Sequence, residues 1–314
     1  MPFSRIKTLL IGLAISIPYG LIMMGLATLT HNTVSISYIF FLPVILGAIP
    51  VLFSRKDQLD SYINTLLVPW GIVITFFFLA WALGFEGMIC LTIIIAPFIL
   101  LATLGAFIFR LIKLNRKHKD KRLYACLLLP FLALFIEQHI EPKDQYGVCT
   151  TSIEINAAQQ NVWEQIKNVP HIRPEEVNTH FIHLIGIPKP ISAQLDKDGI
   201  GGTRFITWEK GIRFREKIKS WEEGKSFSYD IDVDPASIPP ATLDEHVMVG
   251  GKYFDVIDGS YHIEKVSETR SRILLTCRYR TTTTLNAYSQ WWASFVLNDF
   301  HQMILEVVKK RSEQ

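Results

Sequence analysis

Four apolar stretches without a single Asp, Glu, Lys, Arg or His constrain this chain more than any other feature. They lie at about residues 8–30, 36–53, 66–85 and 88–109. Each is about 18–23 residues long, enough at a 1.5 Å rise per residue to cross a hydrocarbon core of ~30 Å. A fifth run at 121–140 has an apolar centre at 123–136, and it reaches spanning length if Lys121, Arg122 and Glu137 sit at the interfaces. The first run is too long, and has too many successors, for a cleaved signal peptide. The expectation for residues 1–145 is therefore an all-α transmembrane bundle of about five helices.

The absence of ionisable groups from the first four spans points to an anchor or scaffold, because transport paths place such groups in lipid. Prolines 18, 43, 50, 69, 97 and 130 put a potential kink in every span. Gly12, Gly20, Gly25 and Gly105 are expected where helices approach closely. Loop charge sets the topology. Arg5 and Lys7, Arg55 and Lys56, and the basic run at 110–122 fall on one side if the N-terminus is cytoplasmic, since the loops at 31–35 and 84–87 hold no Lys or Arg. The expected location is a bacterial inner membrane. With five spans the C-terminal domain lies in the periplasm; with four it is cytoplasmic.

Charge divides along the same line. Residues 1–140 hold 11 Lys/Arg against 5 Asp/Glu, and residues 141–314 hold 21 against 24. A nucleic-acid binder concentrates basic charge on its soluble domain, so DNA and RNA are not expected partners. Cys90 and Cys126 fall in apolar runs and read as packing residues. Cys149 and Cys277 fall on the inner faces of strands, where two buried thiols are favoured and a disulfide is open if the compartment oxidises.

From about residue 146 the period changes. Thr151, Ile153 and Ile155 alternate as a strand, and Val162, Trp163 and Ile166 mark an amphipathic helix. A polar, Pro-rich loop, "IGIPKPISAQLDKDGIGGT", follows. Strands are expected at 203–209, 211–221, 225–234, 246–256, 259–267 and 272–282, and a long helix at 285–311. Along 211–221, Ile212, Phe214 and Ile218 face one way and Arg213, Arg215, Lys217 and Lys219 the other. That is the pattern of an antiparallel sheet with one covered and one wet face. The helix stripe of Tyr288, Trp292, Phe295, Val296, Met303 and Val307 needs a surface to cover it, and a curved sheet gripping the helix supplies one.

The phrases "SIEINAAQQNVWEQIKNVPHI", "GIGGTRFITWEKGIRFREKIKSWEEGKSFSYDI" and "HQMILEVVKKRSEQ" resemble the START-like, or SRPBCC, superfamily, within it the polyketide cyclase/dehydrase and lipid-transport group. The resemblance covers about residues 148–312. It implies an α+β helix-grip domain at 146–314, with an apolar pocket between a curved antiparallel sheet and the long C-terminal helix.

On this reading strand parity and the helix stripe nominate Phe214, Glu216, Phe227, Tyr229, Ile231, Tyr253, Tyr261, Trp292 and Phe295 as an apolar pocket with polar tips, and place His246 and Asp299 at its edge. Glu216 is the odd member: a carboxylate on the inner face must pair with a cation, reach solvent or hydrogen-bond a ligand. His180 and His183, near Glu175 and Glu176, lack a ligating pattern, so no metal and no cofactor are expected. The outward row of Arg and Lys is a solvated face, or one that touches lipid headgroups. The expected function is a membrane-anchored protein that binds or transfers a hydrophobic, lipid-like small molecule, with membrane lipids as its other partners. The alternative is a membrane-bound cyclase/dehydrase-type enzyme using Glu216, His246 or Tyr253 as acid/base groups.

Overall fold

A computed structural model describes residues 2–30, 35–54, 56, 59, 61–115, 121–239 and 242–314. Arg55 and residues 116–120, on which part of the loop-charge argument rests, lie outside these, as do residues 31–34. The chain divides into two compact units, Met1–Pro142 and Lys143–Gln314.

The first unit is helical: α1 (Pro2–Leu29), a π-helical turn (Ser37–Phe41) running into α2 (Leu42–Phe53), α3 (Tyr62–Ala82), α4 (Met88–Asn115), and a 3-10 segment (Lys121–Leu128) leading into α5 (Leu129–Glu137). Its helices are apolar on more than one face. On α3, Ile72, Val73, Phe76 and Ala80 are buried, while Ile63, Leu67, Trp70, Ile74, Phe78 and Trp81 stay exposed along the opposite side. Such a helix suits an apolar surround. Among the described residues three helices are long and apolar enough to cross a membrane: Leu10–Leu29, Tyr62–Ala82 and Met88–Asn115. The other two expected spans come out shorter, as Ser37–Phe53 and Leu123–Glu137. The backbone leaves the helix at Ser54, in an extended conformation, and α5 stops at Gln138.

The short helical stretch 37–53 is held at both ends by charge. Glu137, itself buried, accepts hydrogen bonds from the Ile36 and Ser37 backbone N–H groups at 2.8 and 2.9 Å and from the Ser37 hydroxyl. At the far end Lys113 donates to the carbonyls of Val51, Leu52 and Ser54 at 2.8, 2.7 and 2.5 Å. An anion at the first turn and a cation at the last complement the helix dipole and its unpaired backbone groups. This stretch also crosses α4 backbone to backbone. A Cβ added at Gly47 would lie 1.8 Å from the Ala102 carbonyl oxygen, and one at Gly105 would lie 2.1 Å from that of Val44. Gly12 and Gly20 likewise sit against Pro50 and Phe76, whereas Gly25 faces open space. Close packing therefore accounts for Gly105, Gly12 and Gly20, does not account for Gly25, and adds Gly47.

The second unit is one seven-stranded antiparallel sheet in the order β1-β7-β6-β5-β4-β3-β2. Its strands are β1 (Gln145–Ile155), β2 (Pro190–Leu195), β3 (Thr203–Trp208), β4 (Arg213–Glu222), β5 (Ser226–Asp232), β6 (Phe254–Ser267) and β7 (Arg270–Thr281). Helices α6 (Gln159–Lys167) and α7 (Phe181–Leu184) lie between β1 and β2, and α8 (Asn286–Ser312) closes the chain. This is the helix-grip architecture. Register shifts at Ile218/Ser220, Val256/Asp258 and Lys265/Ser267 mark bulges, which strengthen the twist and curl of a sheet.

Two expected strands move. β2 forms inside the Pro-rich loop, with Pro190 at its edge-strand start, where proline is tolerated. The strand expected at 246–256 is instead a 3-10 turn (Glu245–Val247) and a loop; its end, from Phe254, belongs to the long β6. The loss and the gain leave the strand total as expected.

The outer face of the sheet is a charge ladder. Arg215 and Lys217 on β4 meet Asp232 on β5, Lys219 meets Asp230, and Arg278 on β7 meets Asp258 on β6. The basic row thus has acidic partners in register beside it.

Candidate ligand site

Alternation on β3 and β4 sends Arg204 and Glu216 to the inner face, and strand pairing sets them directly opposite one another. The guanidinium Nη1 lies 2.5 Å from Glu216 Oε2, and both residues are buried, Arg204 with 3% of its surface exposed and Glu216 with 7%. Rings from β5 and β6 surround the cation: its central carbon lies 5.4 Å from the Phe227 centroid, 5.7 Å from Tyr261 and 5.9 Å from Tyr229. These rings also pack on each other, Phe227 and Tyr261 at 5.2 Å. Burial pushes the Glu216 carboxyl above its ordinary range, and Arg204 opposes that shift. A guanidinium cannot shed its proton, so the ion pair is what makes its burial tolerable. Burial also raises Tyr261 to about 12 and Tyr229 well above a free phenol, so both hydroxyls stay protonated, and the Tyr261 oxygen accepts from the Arg204 guanidinium. The Arg204 Nε–H has no hydrogen-bond partner among the described residues. A buried, unpaired donor costs about 1–3 kcal/mol, so this N–H calls for an acceptor.

Strand parity alone nominated Glu216 but not Arg204. The signal was present. Once 203–208 and 213–222 are read as an antiparallel pair with their apolar positions aligned, the basic residue at 204 falls opposite the acidic one.

α8 roofs this face unevenly. Its backbone runs along β1 and β7 and approaches β3, β4 and β5 far less closely. Polar contacts fix the near side: Thr151 donates to Asn298 at 2.7 Å, and the Tyr279 and Ser294 hydroxyls meet at 2.7 Å. All the fully buried residues of α8 lie from Leu297 onward. Before that point come Tyr288, Trp291, Trp292 and Phe295, none fully buried although all are aromatic. Trp292 and Phe295 pack with Phe181 of α7 at 6.5 and 5.4 Å. Phe214 forms a separate cluster with Trp208 and Phe300, whose rings lie 5.5 and 4.9 Å from Trp208.

The remaining nominated residues fall as follows. Ile231 is half-buried against the same core as Tyr229 and Tyr261. Tyr253 is buried and its ring lies 4.9 Å from that of His246, away from the Arg204 group in the chain and carried by the loop that precedes β6. Asp299 accepts a hydrogen bond from the Ile182 N–H at 3.0 Å and faces His180 Nδ1 at 3.1 Å, so its carboxylate is engaged in anchoring α7. His180 reaches Glu306 with its other nitrogen. Cys149 and Cys277 are directly opposed across β1 and β7, both buried with free thiols.

No family profile matches the chain, and no curated protein matches it in sequence. Solved structures do match. A truncated norcoclaurine synthase from Thalictrum flavum is 10% identical, covering 55% of this chain and 96% of its own, with a TM-score of 0.33. The Zhui aromatase/cyclase from a Streptomyces species is 9% identical, covering 53% of this chain and 94% of its own, also with a TM-score of 0.33.

Proposed function

We propose that the chain is a membrane-anchored binding protein whose helix-grip unit holds an apolar, lipid-like molecule between α8 and the inner face of β3–β5. The observation that carries this is the uneven roof. α8 is fastened along β1 and β7, and Tyr288, Trp291, Trp292 and Phe295 of its first half are left partly uncovered. Aromatic side chains each offer a large apolar area, and leaving several of them half-covered forgoes burial at roughly 25 cal/mol per Å² unless another apolar surface completes it. The Arg204 Nε–H and the neutral phenols of Tyr229 and Tyr261 give such a pocket a polar floor, suited to a ligand with one oxygen acceptor at an otherwise hydrocarbon end.

The apolar helices of the first unit would keep this pocket beside a membrane, the phase into which such ligands partition. Three crossings, or five with the shorter pair, would put residues 143–314 on the side opposite the N-terminus, and four would put them on the same side. The test is solvent extraction and mass spectrometry of the full chain purified in mild detergent. A stoichiometric apolar molecule, lost on Arg204→Met together with Glu216→Leu, is the expected result. Protein that carries nothing, and takes up no fluorescent fatty acid, sinks the reading.

A further inference from the structure

The outer sheet face is laced with paired charge, but one surface of the second unit is of another kind. Trp291 is 60% exposed and Phe295 44%, and they adjoin Tyr288, Trp292 and Phe181; Leu184, 70% exposed, ends the same short helix as Phe181. The rings form a continuous sheet: Tyr288 stacks on Trp291 at 6.3 Å, Trp291 on Phe295 at 6.3 Å, and Trp291 meets Trp292 edge-on at 5.1 Å. Contiguous exposed apolar area of this sort marks an interaction surface.

Its position in the unit says what it meets. The first turn of α8 is tied to the residue at which the unit begins: the Asn286 amide donates to the Lys143 carbonyl at 2.7 Å, and Asn286 Oδ1 accepts from the Thr283 N–H at 2.8 Å. The aromatic surface starts two residues beyond Asn286, so it lies at the end of the unit where the chain enters. Six residue steps separate Lys143 from Glu137, the last residue of α5, and they reach at most ~22 Å. α5 itself exposes Leu132, Phe135 and Ile136 at 57%, 65% and 62%. Tryptophan with neighbouring aromatics is the residue set that settles at a bilayer's headgroup level.

We infer that the face formed by Tyr288, Trp291 and Phe295 lies in the headgroup region of the bilayer that holds the first unit, so that the aromatic end of α8 opens toward lipid. This rests on the pocket reading above for its purpose, though not for its geometry. A ligand then passes between the acyl phase and the inner face of the sheet without crossing water.

The test uses the full chain reconstituted in vesicles of phosphatidylcholine and phosphatidylglycerol. Cys126, the one cysteine that is not buried, is replaced by serine, and the single variants Trp291→Cys and Lys219→Cys are labelled with the fluorophore NBD. Lys219 stands on the charged outer face and serves as the reference. The expected result is blue-shifted emission from position 291, quenching by doxyl-labelled lipid several-fold stronger than at 219, and several-fold weaker quenching by iodide. Equal iodide quenching at both positions, with no effect of doxyl lipid, overturns the inference. So does a blue shift at 291 that grows with protein density and ignores doxyl lipid, which marks a second copy as the cover. Co-purifying ligand is measured on the same samples. Ligand retained by a chain whose position 291 is in water removes this inference and leaves the pocket; a label in lipid on a chain with no ligand does the reverse.

Discussion

The two halves of α8 are built from similar numbers of apolar residues and are treated oppositely by the fold. Residues 297–312 are gripped from two sides. Leu305 and Val308 enter the core of Trp163, Phe227 and Ile273, while Met303 and Val307 pack under Val169, Ile172 and Ile182 of the segment between α6 and β2. Residues 286–296 carry the larger side chains, yet none is fully buried. The difference teaches that the second half is what makes the domain stable and the first half is what the domain presents.

The largest effect belongs to the closed half. Trp163 is completely buried, packs edge-on against Trp221 at 4.9 Å, and donates its indole N–H to Glu223 at 3.0 Å. Trp163→Ala is expected to cost about 4–5 kcal/mol, a cavity term added to a transfer term. Urea unfolding of the full chain in detergent, followed by near-ultraviolet circular dichroism, measures it.

Next comes the buried ion pair, ringed by Phe227, Tyr229 and Tyr261. Arg204→Met strands the Glu216 carboxylate among Tyr229, Tyr261 and Ile231, and is expected to cost about 3 kcal/mol. Adding Glu216→Leu should recover most of that. If the double variant stays as unstable as the single one, the pair is a structural strut and not a tolerated polar floor.

Acid tests the far end of α8. Arg311 forks onto Glu176 with both bonds at 2.9 Å, and the Arg173 N–H adds a third at 2.7 Å. The Arg311 fork holds the Glu176 carboxyl down at about 2, against the upward push of its burial. A carboxyl lowered on folding contributes stability above its unfolded value of ~4.3 and loses it as pH falls toward the folded value. Glu176→Gln should therefore cost about 2 kcal/mol at neutral pH. The gap to the parent protein should close between pH ~4.3 and ~2. A gap that persists at pH 2 would contradict the assignment.

How much of this was legible beforehand follows the same division. The inner residues of β4 and β5, Ile218, Phe227 and Tyr229, were legible because a period of two leaves an apolar residue only one face to choose. The aromatic stripe of α8 was legible for the same kind of reason. What could not be read was which half of the stripe the sheet would cover, since that depends on α8 leaning toward β1 and β7. β2 was hidden because an edge strand needs pairing on one side only and can be built from "PISAQL". In the first unit, Glu137 looked like an interface residue; its burial depends on two N–H groups a hundred positions away. Local patterns announce faces, and long-range partners decide what a charged residue does there.

The smallest predicted effect decides most. Trp292 carries the same side chain as Trp163, but among the described residues its ring neighbours are Phe181, Trp291 and Phe295. If the first half of α8 is presented and not packed, Trp292→Ala should cost about 1 kcal/mol, a fraction of the Trp163→Ala loss, because a side chain already short of contacts forfeits few of them. The same variant should shed co-purified apolar ligand to a greater degree than it loses stability. Unfolding curves and ligand content measured on one preparation separate the two. A Trp292→Ala loss as large as that of Trp163→Ala would make both halves core, and with no half set aside for a guest the pocket has no place in the fold.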